Sequence, residues 1–139
     1  MGKNLKKAFT LIELLIVISI IAILVSIATA SYITAQKKGR DSKRRQDLKD
    51  IQNAFEQYYA EYQAYPTTST EIDSAFSNNQ RPKDPQNNST YTYDWNHIDS
   101  ENYCICAKLE SSAGNADAPS STTCNWHSGG QYLCIQNQQ

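Results

Sequence analysis

Apolar residues are laid out along this chain in three regimes. From Phe9 to Ala30 they are nearly continuous, with thirteen Leu, Ile or Val between Leu11 and Ile27. At about 1.5 Å per residue such a run reaches about 33 Å as a helix, the thickness of a bilayer core of about 30 Å. From Asp47 onward the apolar positions recur every three or four residues: Leu48, Ile51, Phe55, Tyr59, Tyr62 and Tyr65. That spacing places one stripe on a helix face, to be buried against whatever follows. Pro66 with Thr67 and Thr68 predicts a helix end near Ala64. Gly39 alone offers a break, so a single helix of about 55 residues is expected over 9–64, with 9–33 as its membrane-spanning part.

Beyond residue 65 the period falls to two. Tyr103–Leu109 and Gln131–Ile135 read as strands, with Ile105, Ala107, Leu109, Leu133 and Ile135 directed at the helix and Cys104, Cys106 and Cys134 directed away. The stretch from Thr67 to Ser89 is rich in Ser, Thr, Asn, Gln and Pro and reads as a surface connection with little regular structure. Within it Asp84-Pro85-Gln86-Asn87-Asn88 predicts a turn leading into a strand at Tyr91-Thr92-Tyr93. The expected fold class is α+β: a long N-terminal helix packed on a small antiparallel sheet, with residues 65–139 as a compact head.

Charge and cysteine placement sharpen this division. The net charge of -1 conceals ten Lys or Arg against six Asp or Glu in residues 1–63, and three against eight in 64–139. A basic stalk carries an acidic head. All four cysteines, Cys104, Cys106, Cys124 and Cys134, lie in the polar half. An even number of cysteines in a domain poor in aliphatics reads as a disulfide framework formed outside the cytoplasm. A Cys104–Cys106 bond would be strained, so Cys134 is expected to bond one of them on the outer face of the sheet and Cys124, folding over from its loop, the other. A zinc site with His97 or His127 nearby is the rival reading, but a C-x-C pair followed by gaps of seventeen and nine residues fits no common structural zinc pattern.

Glu13 is the anomaly of the apolar run. An acid there costs up to about 3 kcal/mol on insertion scales, which thirteen aliphatics at about 0.3 to 0.6 kcal/mol each outweigh. Either the carboxylate snorkels to the membrane face, or it has a positive partner on another chain. Lys3, Lys6 and Lys7 precede the run, and no small-residue cleavage site of the secretory kind follows it.

The decapeptide Lys6-Lys7-Ala8-Phe9-Thr10-Leu11-Ile12-Glu13-Leu14-Leu15 resembles the class III signal peptide of type IV prepilins and type II secretion pseudopilins. The resemblance implies a pilin fold and a leader over 1–8, cut between Ala8 and Phe9 by a membrane prepilin peptidase that also N-methylates Phe9. It further implies that Glu13 is the assembly acid, meeting the freed amine of Phe9 on a neighbouring subunit. In physical terms, two opposite charges about one helical turn apart in an apolar bundle mark a register. The implied partners are further copies in a helical filament, the peptidase, and a membrane platform driven by a cytoplasmic ATPase. The implied location is the membrane before assembly, with the head outside the cytoplasm, and an extracellular or periplasmic filament afterwards. Tyr65-Pro66-Thr67 together with the turn at residues 84–88 is similar to the head pattern of major pseudopilins, although the calcium loop some of them carry cannot be traced here. Two features depart from the family pattern: Ala8 where Gly is usual, and the lack of any Pro or Gly from Phe9 to Gln36.

Six basic residues, Lys37, Lys38, Arg40, Lys43, Arg44 and Arg45, form a collar just past the apolar run. Counted against the three lysines before it, they would orient the head toward the cytoplasm. The cysteines and the prepilin motif indicate the opposite orientation, and a weakly hydrophobic head gains little from four cysteines kept reduced. The collar has three readings: a solvated helix face, a belt that meets the acidic heads of adjacent subunits, or a contact for nucleic acid or lipid. The tyrosines at 58, 59, 62 and 65 read as core. Asn88-Ser89-Thr90 is a glycosylation sequon. No nucleophile beside a base, paired carboxylates, phosphate loop or metal motif appears, so neither catalytic residues nor a cofactor is expected. The functions in view are a pilus subunit, the major pseudopilin of a type II secretion system, and a DNA-uptake pilin.

Overall fold

A computed structural model describes residues 9–111 and 113–138. Its elements are α1 (Leu11–Tyr62), α2 (Ser69–Ser74), β1 (Cys104–Lys108) and β2 (Tyr132–Gln136). The chain divides into two units, Met1–Gln36 and Lys37–Gln139. The proposed leader, including Ala8, lies outside the described residues.

Among the described residues of the first unit the large apolar side chains are all open, from Val17 at 48% exposed to Leu11 at 88%. The hydroxyls of Ser19, Ser26 and Thr29 donate to the carbonyls of Ile16, Ile23 and Ser26 at 2.8, 2.8 and 3.0 Å. These polar groups are therefore satisfied within the helix, as a lipid environment requires.

In the second unit the helical period does what the sequence predicts for Leu48, Ile51 and Phe55, which are closed off from solvent and pack with Tyr65, Tyr103, Ile105 and Ala107. Burial of each of the three contributes about 2 to 3 kcal/mol. The stripe ends sooner than the spacing predicts. Tyr62 is 58% exposed and stacks on Tyr58 with ring centroids 4.4 Å apart. Gln63 is the reason: its φ of 56° ends α1 at Tyr62, and its N–H caps the Tyr59 carbonyl at 2.8 Å. The chain then reverses, so Tyr65 enters the core from outside the helix, edge-on to Tyr103 at 4.9 Å.

The stretch expected to lack regular structure holds α2. Thr68 and Glu71 cap it reciprocally, and Ile72 buries into the core. The signal was Thr-x-x-Glu ahead of an apolar residue. At the other end of that stretch the turn forms, with Asn87 at φ 44° and the Gln86 N–H on Asp84. Tyr91–Tyr93, however, joins no strand. Tyr93 is buried, and its hydroxyl is spent on Asp47 rather than its backbone on a ladder.

β1 and β2 pair antiparallel, with Ile105 opposite Ile135, Cys106 opposite Cys134 and Ala107 opposite Leu133. One face carries Ile105, Ala107, Leu133 and Ile135 against α1, as the two-residue period requires. The other face is not an outer surface, because the segment between the strands folds back over it. Ala116 exchanges backbone bonds with Tyr132 at 3.1 Å in each direction. Gly114 and Gly130 let it lie that close, since a Cβ on either would collide with the carbonyl oxygen of Tyr132 or Ala116.

Candidate functional site

Three groupings carry the chemistry of this chain, and the first opens α1. Thr10 and Glu13 form a reciprocal cap: Glu13 Oε2 accepts from the Thr10 N–H at 2.9 Å and from Thr10 Oγ1 at 2.7 Å, while the Glu13 N–H donates to Thr10 Oγ1 at 3.3 Å. Ser/Thr-x-x-Glu at a helix start satisfies donors that would otherwise lack partners. The acid is thus held at the helix mouth, beside Phe9, which is 82% exposed. It is the one formal charge between Phe9 and Gln36. The cap uses Oε2 on local donors and leaves the negative charge without a cation among the described residues of its own unit.

The second grouping revises the basic collar. Arg44 is fully buried. Its Nε and Nη2 reach Asp84 Oδ2 and Oδ1 at 2.6 and 3.0 Å, and its Nη1 reaches Asp41 Oδ1 at 2.8 Å and Glu110 Oε1 at 2.7 Å. Arg40 adds a second fork on Glu110, at 2.7 and 2.6 Å. Asp41 in turn accepts the N–H groups of Glu110 and Ser111 and the Ser111 hydroxyl, each at 2.9 Å. Lys43 pairs with Asp47 at 2.6 Å, and the ring of Tyr91 covers the Arg44 guanidinium at 4.8 Å. Arg40 and Arg44, two of the six collar residues, therefore serve their own head, because a guanidinium taken out of water needs charged partners at close range. A belt for neighbouring heads, or a phosphate contact, cannot be made by Arg44. Lys37, Lys38 and Arg45 are the collar members that remain exposed alongside Lys43.

The electrostatics follow from these contacts. The Arg40 fork, opposed by burial and reinforced by Arg44, holds the Glu110 carboxyl down at about 2. Burial works against the Asp41 carboxylate, yet the donors from Glu110, Ser111 and Arg44 outweigh it and keep its pKa below the ordinary value. Burial likewise disfavours the Arg44 charge, and its carboxylates more than compensate.

The third grouping is the cysteine cluster. Cys104 bonds Cys124 and Cys106 bonds Cys134, with Cα atoms 5.2 and 4.1 Å apart. Cys134 gives its N–H to Asn115 Oδ1 at 2.7 Å rather than to β1, so Cys106 and Cys134 form the close, non-hydrogen-bonded kind of cross-strand pair that one disulfide can bridge. All four are buried, Cys104, Cys106 and Cys134 on the strands and Cys124 on the returning segment, with Ala116 and Tyr132 against them. The His97 and His127 side chains lie beside Asp94 at 3.4 Å and Asp117 at 3.2 Å, and the His97 carbonyl accepts the Cys104 N–H at 2.9 Å.

Comparison with known proteins bears on the first grouping. Residues 3–29 match the prokaryotic N-terminal methylation motif. The chain is 36% identical over 66 residues to the type IV major pilin protein PilA of Myxococcus xanthus, an overlap of 48% of this chain and 30% of that protein. To the type II secretion system core protein G of Aeromonas hydrophila it is 32% identical over 73 residues, 52% of this chain and 51% of the relative. To the protein of the same description in Escherichia coli K12 it is 30% identical over 69 residues, 50% of this chain and 48% of the relative. The chain thus spans about half or less of the length of the relatives it matches. No solved structure matches it. The chain carries the prepilin N-methylation motif on a pilin-like α+β architecture, and it is a distant homologue of type IV pilin PilA and of type II secretion core protein G.

Proposed function

We propose that this chain is a structural subunit of a type IV pilus-like filament, cut between Ala8 and Phe9, N-methylated at Phe9 and stored in the membrane with its head outside the cytoplasm. The observation that carries this reading is the methylation motif placed on an apolar helix whose large side chains are all exposed and whose one charge is Glu13. Such a helix is long and apolar enough to cross a membrane. Packing against copies of itself covers the same surface once the subunit leaves the lipid. Glu13 then meets the amine of Phe9 on a neighbour, which turns an isolated buried charge into a paired one and sets the stagger. A peptidase, a membrane platform and a cytoplasmic ATPase are the partners this reading requires.

A second reading, the major pseudopilin of a type II secretion system, is favoured by the two core protein G relatives, which align over a larger share of their own length than the pilin does. Mass spectrometry of the mature protein tests what the two readings share. A start at Phe9 bearing one methyl group supports both, and an intact Met1 form removes both. Electron microscopy and secretion assays on a deletion strain then separate them: loss of long surface filaments supports the pilus, loss of exported enzymes the pseudopilus.

A further inference from the structure

The arrangement of the four cysteine sulfurs offers a state other than the disulfide-bonded one. All four Sγ atoms lie within 4.8 Å of one another, and all four residues are buried. Cys104 and Cys106 occupy alternate positions of β1 on the same face, and their Sγ atoms, not bonded to each other, stand 3.7 Å apart. A zinc ion at about 2.3 Å from each of four thiolates in a tetrahedron requires sulfurs about 3.8 Å apart. One edge of that tetrahedron already exists. The opposite edge comes from Cys134, in register across the ladder from Cys106, and from Cys124 on the returning segment. That segment is largely exposed around Cys124, with Thr123 and residues 125–129 open to solvent, so it has room to move outward as the sulfurs separate.

We propose that the reduced chain binds one zinc ion through Cys104, Cys106, Cys124 and Cys134, in a site that excludes and is excluded by the two disulfides. The exchange balances as follows. Two equivalents of a dithiol deliver four electrons and four protons to the two S–S bonds, are oxidised to their own disulfides, and leave four thiols on the chain. Zinc then displaces four protons and binds four thiolates. In reverse, two equivalents of a disulfide-bearing oxidant accept the four electrons and take up four protons from the medium, both S–S bonds re-form, and the ion departs. The consequence is a head held closed over the sheet before its disulfides exist, by an ion that the oxidation step expels. Structural zinc supplies folding free energy directly, which a head with so small a core can use.

The test uses the full chain in detergent micelles, reduced with a phosphine and titrated with cobalt(II) and then zinc(II). Expected are the thiolate charge-transfer and tetrahedral ligand-field absorptions of cobalt at one ion per chain, bleached by zinc, with amide protection returning in β1 and β2. Cys124→Ser should weaken binding more than about tenfold, since even outer-shell partners of a metal cost that much. The oxidised chain should bind neither ion. The proposal is overturned by a reduced chain that gives no thiolate absorption, by binding that survives oxidation or Cys124→Ser unchanged, or by an ion held without any return of amide protection.

Discussion

Arg44 and Asp84, forty residues apart in the chain, meet as a two-pronged ion pair with both side chains closed to solvent. This contact joins α1 to the loop that follows α2. A fork of this geometry fixes orientation as well as distance. Around it Asp41 and Glu110 complete the shell on the same guanidinium. The head is therefore fastened to the stalk helix at two levels: the apolar cluster around Phe55, and this polar cluster nearer the start of the second unit.

Breaking the pair from one side should be severe. Asp84→Ala or Arg44→Ala leaves a buried charge short of its main partner, and each is expected to cost about 3 to 5 kcal/mol. Replacing both by apolar residues of similar volume, Arg44→Met with Asp84→Leu, should recover much of that loss. Denaturant unfolding of the three variants in detergent measures it, and a double-variant loss equal to the sum of the two single losses would show that the pair does not act as a unit.

Glu110 ties stability to pH. Its folded pKa of about 2 lies below the ordinary 4.5. The folded state therefore prefers the ionised form, and the contribution is fully present above about 4.5 and is lost as pH falls from there toward 2. The difference corresponds to about 3 kcal/mol, and Asp41, also depressed, acts in the same direction. Thermal melts between pH 7 and 2 should show this decline (range of order set by the carboxylates), and Glu110→Gln should be less stable at neutral pH with a flatter acid limb.

The two disulfides close loops of similar size, spanning 20 and 28 residues. Chain-entropy estimates then assign about 3 kcal/mol to each. Paired replacements, Cys104→Ser with Cys124→Ser and Cys106→Ser with Cys134→Ser, should lower the melting temperature by comparable amounts. A much larger loss from the cross-strand pair would show that Cys106–Cys134 also secures the strand register.

Glu13 combines a cap and a charge, and substitution separates the two. Glu13→Gln preserves an acceptor for Thr10 but removes the charge, whereas Thr10→Ala removes the hydroxyl and keeps the charge. If pairing with a neighbour's amine drives assembly, Gln should abolish filaments while the chain still inserts in the membrane. Thr10→Ala should cost about 1 kcal/mol of helix start and leave filaments in place. Membrane fractionation with electron microscopy reads both, and filaments from Glu13→Gln at the normal level would refute the pairing.

Much of the architecture was legible in the sequence because it depends on near neighbours. The apolar run, the period of Leu48, Ile51 and Phe55, and the alternation that sets Ile105 and Ala107 against Cys104 and Cys106 all follow from backbone geometry within a few residues. Where the reading went astray, a local rule was outcompeted. Tyr62 fits the stripe by spacing, but the left-handed turn at Gln63 ends the helix before the stripe can continue into the head. Tyr91–Tyr93 has strand-like composition, yet the Tyr93 hydroxyl is drawn to Asp47. The cap of α2 was written in Thr68 and Glu71, hidden by the polarity of the residues around it.

By itself the sequence determined an apolar N-terminal helix with a single acid at its mouth, the methylation motif around that acid, and the parity of the strands. Each is a matter of residue order along one element. Only the tertiary structure decided that Arg40 and Arg44 serve their own head, that Cys104 pairs with Cys124 and Cys106 with Cys134, and that the cysteine face is covered rather than open. Those outcomes depend on which groups meet across 20 to 70 residues of chain. A charge count sees a basic collar and an acidic head. It cannot see that burial forces the two to neutralise each other within one subunit.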